Sequence, residues 1–178
     1  MDALKEWIPS SDGYLPYYMF GLSILAVGNS LQNYLTLHYS RRLYNGQFIA
    51  NPSLPPKTST YNPEDATNKI IPAGSAKVKP GSTTFDQCTP LAARLFGTYT
   101  LISAIVRLYA SYHLDKEPVY MIALWTYLVA LGHFGSEIFV FKSAYLFGPE
   151  ILPQLFPLCF ATIGTIWMIA QKSFYVQV

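Results

Sequence analysis

Residues Leu124–Phe141 read LWTYLVALGHFGSEIFVF, an apolar run whose strongly polar side chains are a histidine and a glutamate four positions apart, His133 and Glu137. The run offers water no charged face. A helix that is apolar all round belongs in a buried core or a membrane, and it can carry two ionisable groups only if something inside the protein receives them. The rest of the chain supports the membrane setting. Of its 178 residues 51% are hydrophobic and 12% charged, against about 25% charged in an ordinary soluble domain. A soluble bundle of four such helices would need polar faces that these segments lack.

The mean hydropathy of +0.23 is modest, because a long polar stretch is averaged with several very apolar ones. A net charge of +2, scattered along the chain, provides no surface for a polynucleotide. Cys88 and Cys159 lie far apart without metal-ligand spacing, so they read as inert thiols. The N-terminal MDALKEWIPSSDGYLPYY carries acidic residues where a cleaved signal peptide would have a basic region, and none is expected here.

These patterns predict an all-α integral membrane protein: a four-transmembrane-helix bundle forming one domain over residues 1–178, with a long polar loop at 46–89 between helices 1 and 2. Span one runs from about Leu15 to Tyr39, long enough at about 1.5 Å per residue to cross about 30 Å of hydrocarbon. Gly46–Thr89 turns to Pro, Ser, Thr, Gly, Asn and Lys without periodicity, as in NPSLPPKTSTYNPEDATNK, and reads as an extended loop or partly disordered linker. Thr89-Pro90 is a capping residue followed by one that needs no N–H donor, so span two starts there. The short turn Asp115–Pro118 sends span three back beside it to about Phe141, as a helical hairpin. Gly148 and Pro149 break the chain again, and Pro153 and Pro157 predict an interfacial or kinked entry into span four. Trp7, Trp167, Tyr14, Tyr17, Tyr18, Tyr109, Tyr112 and Tyr175 fall near span ends, where amphipathic rings sit. Arg41, Arg42, Lys57, Lys69, Lys77 and Lys79 in the first loop and Lys142 in the third outnumber Lys5, Lys116 and Lys172 opposite, which favours a cytosolic first loop.

The strongly polar side chains within the spans are Asn29, Gln32, Asn33, Arg94, Arg107, His133 and Glu137. Asn29, Gln32 and Asn33 share one helical stripe, and His133, Ser136 and Glu137 another. By depth these stripes and Arg94 fall in one membrane half and Arg107 in the other. Arg94 and Glu137 lie about five residues from their span ends, nearly level, so Arg94 is the expected partner of Glu137, and Gly97, Gly132 and Gly135 would admit close helix contact. A metal site needs three or four ligands, and His38 and His113 have no acidic companions at matching depth, so no metal is expected. No Ser-His-Asp order, nucleophile elbow, P-loop or GxGxxG accompanies the pair, and no cofactor or catalytic residue is assigned. A small membrane enzyme, or a lipid or proton carrier, using the His133/Glu137 stripe is the active alternative to a buried packing cluster.

The sequence resembles the ergosterol biosynthetic protein 28 family. GNSLQNY (Gly28–Tyr34), AARLFGTYTLISAIVRLY (Ala92–Tyr109) and LVALGHFGSEIFVF (Leu128–Phe141) are similar to its N-S-x-Q, A-R-x-F-G-x-W-T and A-L-x-H-F-x-S-E patterns in order and spacing, with Tyr99 where the pattern has Trp. The resemblance implies a multi-pass endoplasmic reticulum membrane protein without catalytic activity. It implies a tether for the sterol C-4 methyl oxidase, the C-3 dehydrogenase/decarboxylase and the 3-keto sterol reductase, with contacts to the C-24 methyltransferase. A shared scaffold raises the effective concentration of sequential enzymes around a membrane-bound intermediate. Stoichiometry stays open, a homo-oligomer included, and so does direct contact with sterol or other membrane lipid.

Overall fold

The computed structural model describes residues 8–10, 12–75, 81–146 and 152–176, with side chains of the last segment from 155 onward. Trp7, Lys5, Lys77, Lys79 and the expected break at Gly148 and Pro149 lie outside the described residues. The chain is mostly helical. In order it forms α1 (Leu15–Leu35), α2 (His38–Leu43), β1 (Phe48–Ala50), a 3-10 turn (Pro63–Asp65), β2 (Ile70–Pro72), α3 (Pro90–Ser111), α4 (Glu117–Phe139) and α5 (Leu152–Tyr175).

The local chemistry explains the boundaries. Thr89 Oγ1 accepts from the Ala92 N–H at 3.1 Å and Pro90 opens α3, satisfying one free donor and avoiding another. Pro118 opens α4 in the same way. Span one proves shorter than expected. Thr36 is extended (φ −151°) and ends α1 at Leu35, its hydroxyl accepts from the His38 N–H at 2.9 Å, and the chain restarts as the separate helix α2. In α5, non-helical angles fall at Gln171 (φ −113°, ψ 16°) and not at Pro157.

Among the described residues three helices are long and apolar enough to cross a membrane: Pro90–Ser111, Glu117–Phe139 and Leu155–Tyr175. The fourth, α1, has the length at 21 residues but is not among them, since Asn29, Gln32 and Asn33 make its second half polar. The loop expectation changes too. β1 and β2 pair antiparallel (Phe48 with Pro72, Ile49 with Ile71, Ala50 with Ile70), and Phe48 also bridges to Phe85. A short sheet needs no long periodic signal, which is why composition alone read this segment as linker.

The four long helices alternate in direction, and α1 packs most closely on α3 and α4 on α5. Small side chains set the α1–α3 distance: Ser23, Ser30, Ala93, Ser103 and Ala104 are all buried. At Gly97 a Cβ would lie 3.1 Å from the Tyr34 ring, and the Ser30 hydroxyl donates to the Gly97 carbonyl at 2.7 Å. Gly132 and Gly135 have no such neighbour, so of the three expected contact glycines only Gly97 is one. At the end of the bundle where α1 begins, Leu15, Met19, Tyr120, Tyr127, Met168 and Tyr175 form the main core, and Leu43, Ala130, Phe134 and Ala161 form a second toward the other end. Tyr14, Tyr17, Tyr109 and Tyr112 are exposed at the first end, whereas Tyr175 is buried there and its hydroxyl oxygen accepts from the Leu15 N–H at 3.2 Å.

Candidate functional site

The end of α4 meets the folded-back segment after α1, and this junction receives His133 and Glu137. Tyr44, the residue that closes α2, places its hydroxyl 2.7 Å from His133 Nε2. Burial, reinforced by Glu137, pushes the Tyr44 hydroxyl well above its ordinary value, so it keeps its proton and donates to Nε2. A neutral imidazole then carries its own proton on Nδ1, which faces Glu137 Oε1 at 3.9 Å. That distance is an electrostatic contact and not a hydrogen bond. The other Glu137 oxygen, Oε2, accepts from the Ser143 hydroxyl. The rings of Phe96 and Tyr99 flank the imidazole at centroid distances of 6.3 and 6.1 Å.

Two backbone features bring Ser143 there. Lys142 adopts the left-handed conformation (φ 56°), which turns the chain back over the end of α4. The Ser143 N–H donates to the Glu137 carbonyl at 2.9 Å, and Gly46 N–H donates to the Ser143 carbonyl at 2.8 Å. A Cβ on Gly46 would stand 2.5 Å from the Lys142 carbonyl oxygen, so only glycine allows this approach.

Arg94 is not the partner of Glu137. It is exposed on α3, between the exposed Leu91, Leu95 and Thr98, and among the described residues no ion pair joins the two. The buried face of α3 runs through Ala93, Gly97 and Ala104, which turns Arg94 outward. Gln32 is likewise exposed and leaves the expected stripe. Asn33 is buried, donates to the Asn29 carbonyl at 2.8 Å and to Asn29 Oδ1 at 2.7 Å, and accepts from the Ser40 hydroxyl at 2.5 Å. The Ser136 hydroxyl turns back onto the His133 carbonyl at 2.8 Å. Arg107 is apart from this cluster, as expected, and binds Thr126 of α4.

The structure therefore makes two polar groups at this end, Asn29–Asn33–Ser40 and Tyr44–His133–Glu137–Ser143, adjoining across α2. Tyr44, Ser40 and Ser143 were missed by sequence reasoning. None lies in an apolar run: Ser40 and Tyr44 reach their partners because α2 folds back, and Ser143 reaches Glu137 because Lys142 turns the chain back over the end of α4. A cavity of about 440 Å³ opens beside the second group, lined by Tyr44, Cys88, Tyr99, His133, Glu137 and Ser143 among others. Cys88 is a poor nucleophile there: burial, with Asp86 adding to it, pushes its thiol up to about 11, so the thiolate is scarce at neutral pH. Arg41 pairs with Asp86 at 3.2 Å and holds the approach to α3. Its ionisable groups are engaged with one another, an arrangement that ties the end of α4 to the segment after α1.

Comparison with known proteins adds the relatives. The family model described as Erg28 like protein matches residues 15–166. Ergosterol biosynthetic protein 28 of Gibberella zeae is 57% identical over 177 residues, covering 99% of both chains. The Saccharomyces cerevisiae protein of the same name is 30% identical over 167 residues, 93% of this chain and 85% of that one. The Homo sapiens homologue is 46% identical over 54 residues, 30% of this chain and 39% of its own. No solved structure matches the chain.

Proposed function

The chain belongs to the Erg28 family, a family of ergosterol biosynthesis, and on that premise we propose that it is a non-catalytic scaffold of the endoplasmic reticulum membrane. It tethers the sterol C-4 methyl oxidase, the C-3 dehydrogenase/decarboxylase and the 3-keto sterol reductase, and it contacts the C-24 methyltransferase. It does so as a single four-span domain, with both termini lumenal and the 46–89 segment cytosolic. Helix α1 supplies the fourth crossing: its 21 residues reach about 30 Å, and Asn29 and Asn33 bond each other and Ser40, which lets a span carry amides without exposing them to lipid.

The observation that carries the scaffold reading is the division of polar groups. His133 and Glu137 are consumed internally by Tyr44 and Ser143, while Arg94 and Gln32 face outward from neighbouring helices among exposed apolar residues such as Leu31, Leu91 and Leu95. Outward polar groups in an apolar surface are what a partner helix with complementary groups would recognise. Affinity capture from detergent extracts tests it. Wild-type chain should retain the three demethylation enzymes, and Arg94→Leu should keep its melting temperature but lose much of that capture. Deleting the protein should accumulate 4-methyl or 4-carboxy sterols without abolishing any isolated enzyme activity; a normal sterol profile would overturn the reading. The second reading, an enzyme or carrier acting through His133 and Glu137, rests on the 440 Å³ cavity beside them. Turnover by the purified chain alone would establish it.

A further inference from the structure

A second cavity, of about 180 Å³, lies among α1, α3, α4 and α5; it shares Phe96 and Tyr99 with the first, but His133 and Glu137 do not line it. Leu22, Phe134 and Phe160 contribute to its apolar wall. Leu25 and Phe156 also line it, and both are more than half exposed on the outer surface, so it opens sideways between α1 and α5 toward surrounding lipid. Arg107 lines it too and is only 7% exposed.

Arg107 does not reach for the nearby end of the bundle. Helical side chains lean toward the N-terminus of their helix, and here that carries the guanidinium inward. Nε donates to Thr126 Oγ1 at 2.9 Å and Nη2 to the Thr126 carbonyl at 3.0 Å. Its Cζ sits 4.0 Å from the Tyr127 ring centre. Thr126 lies nine residues into α4, about 13 Å along the axis, so the charge is held near mid-depth. Its electrostatic neighbours are the tyrosines Tyr127, Tyr99 and Tyr18, and among the described residues no carboxylate pairs with it. Thr126 takes two of its N–H donors and leaves others without an acceptor among the described residues. Tyr99 lines the same cavity, and its hydroxyl is buried without a hydrogen-bond partner among the described residues.

A mid-depth guanidinium with free donors, an unpartnered hydroxyl and an apolar chamber open to lipid lack one thing, an acceptor. We propose that this cavity binds an apolar carboxylic acid. The carboxylate accepts from the free N–H groups of Arg107, a match in charge and planar geometry, and from the Tyr99 hydroxyl. The hydrocarbon body lies along the apolar wall and leaves between Leu25 and Phe156. Asn29, Thr100 and Ser103 also line the cavity, but Arg107 is the one charged side chain among its described lining residues, so a single carboxylate matches it. The volume is comparable to the roughly 150 Å³ that accepts benzene in an engineered core, so the chamber admits the acid end and an adjoining chain or ring segment while the remainder stays in lipid.

Photolabelling of the purified full-length chain in lipid nanodiscs tests this without any partner protein. The probes are a diazirine-bearing long-chain fatty acid, its alcohol analogue, and a diazirine-bearing fused-ring sterol carboxylic acid, with labelled sites mapped by mass spectrometry. At least one acid should label peptides containing Leu22 or Phe160 at least tenfold more than the alcohol, and the stronger of the two identifies the body as chain or fused ring. Arg107→Gln should remove the preference of acid over alcohol. Ala26→Phe, a wall position outside the Arg107 hydrogen bonds, should block labelling by both while Arg107 stays intact, and it decides the matter if Arg107→Gln does not fold. Equal labelling by acid and alcohol in the wild type, or acid labelling of these peptides that survives Ala26→Phe, overturns the proposal.

Discussion

Gly46→Ala is the sharpest perturbation of the junction that holds Glu137. The added methyl would meet the Lys142 carbonyl oxygen at 2.5 Å and the Ser143 Cα and carbonyl oxygen at 2.8 Å. All three are backbone atoms, so no side chain can swing away. Restoring ordinary contact near 3.4 Å requires the two strands of chain to part by about 0.6–0.9 Å. That stretches the 2.8 Å Gly46–Ser143 hydrogen bond to about its limit and withdraws the Ser143 hydroxyl from Glu137. A lost backbone hydrogen bond costs about 1 kcal/mol and one to a carboxylate about 2, together about 3 kcal/mol. For a chain of this size that lowers Tm by about 6–12 °C. Thermal melting of the purified protein in one detergent measures it, with Gly21→Ala and Gly28→Ala as controls. Neither control position has an atom within 4 Å of the added methyl, and each substitution should raise stability by about 0.5–1 kcal/mol in a helix interior. Gly46→Ala and Ser143→Ala should also be strongly non-additive, because both break the same bond to Glu137. A Gly46→Ala melting temperature within about 2 °C of wild type, or simple additivity, would refute this account of the junction.

Further outcomes follow from other contacts. Gly164→Ala drives a methyl to 2.4 Å from the Tyr127 ring and should cost about 1–3 kcal/mol through overpacking between α4 and α5, read by the same melting assay. In a Cys159→Ser background, alkylation of Cys88 at pH 8 should run about 100-fold slower in the folded than in the denatured chain, since its thiol rises from 9.0 to about 11 and the thiolate fraction falls accordingly. The stability linked to that thiol has a definite sign. The folded state holds the proton more tightly, so the contribution is fully present below pH 9 and is lost as pH rises from there through about 11. Stability-versus-pH curves of wild type and Cys88→Ala should diverge only in that window. Glycosylation acceptors placed in the 46–89 segment should remain unmodified and one at the C-terminus should be modified; the reverse pattern inverts the proposed orientation.

The elements whose signals are local were legible in the sequence. Thr89-Pro90 and Pro118 announced two helix starts because capping and ring geometry act within a turn. Of the four expected spans, three are helices long and apolar enough to cross a membrane among the described residues, legible because bilayer thickness sets the length of such runs, and the three ordered motifs carried the family. What only the tertiary structure decided is direction and return. Helices that are apolar on every side carry no stripe from which to read azimuth, so Arg94 was expected inside and stands outside, and Gln32 with it. Asn29–Asn33 was legible as a stripe, but its acceptance of Ser40 was not. Tyr44 meets His133 across 89 residues and Gly46 meets Ser143 across nearly 100; such contacts exist because Thr36 ends α1 early and Lys142 turns the chain back, and no period of 2 or 3.6 residues encodes them. The opening pair of LGHFGSEIF was visible as two ionisable groups needing a receiver. The receiver, a tyrosine and a serine outside every apolar run, was chosen by the fold.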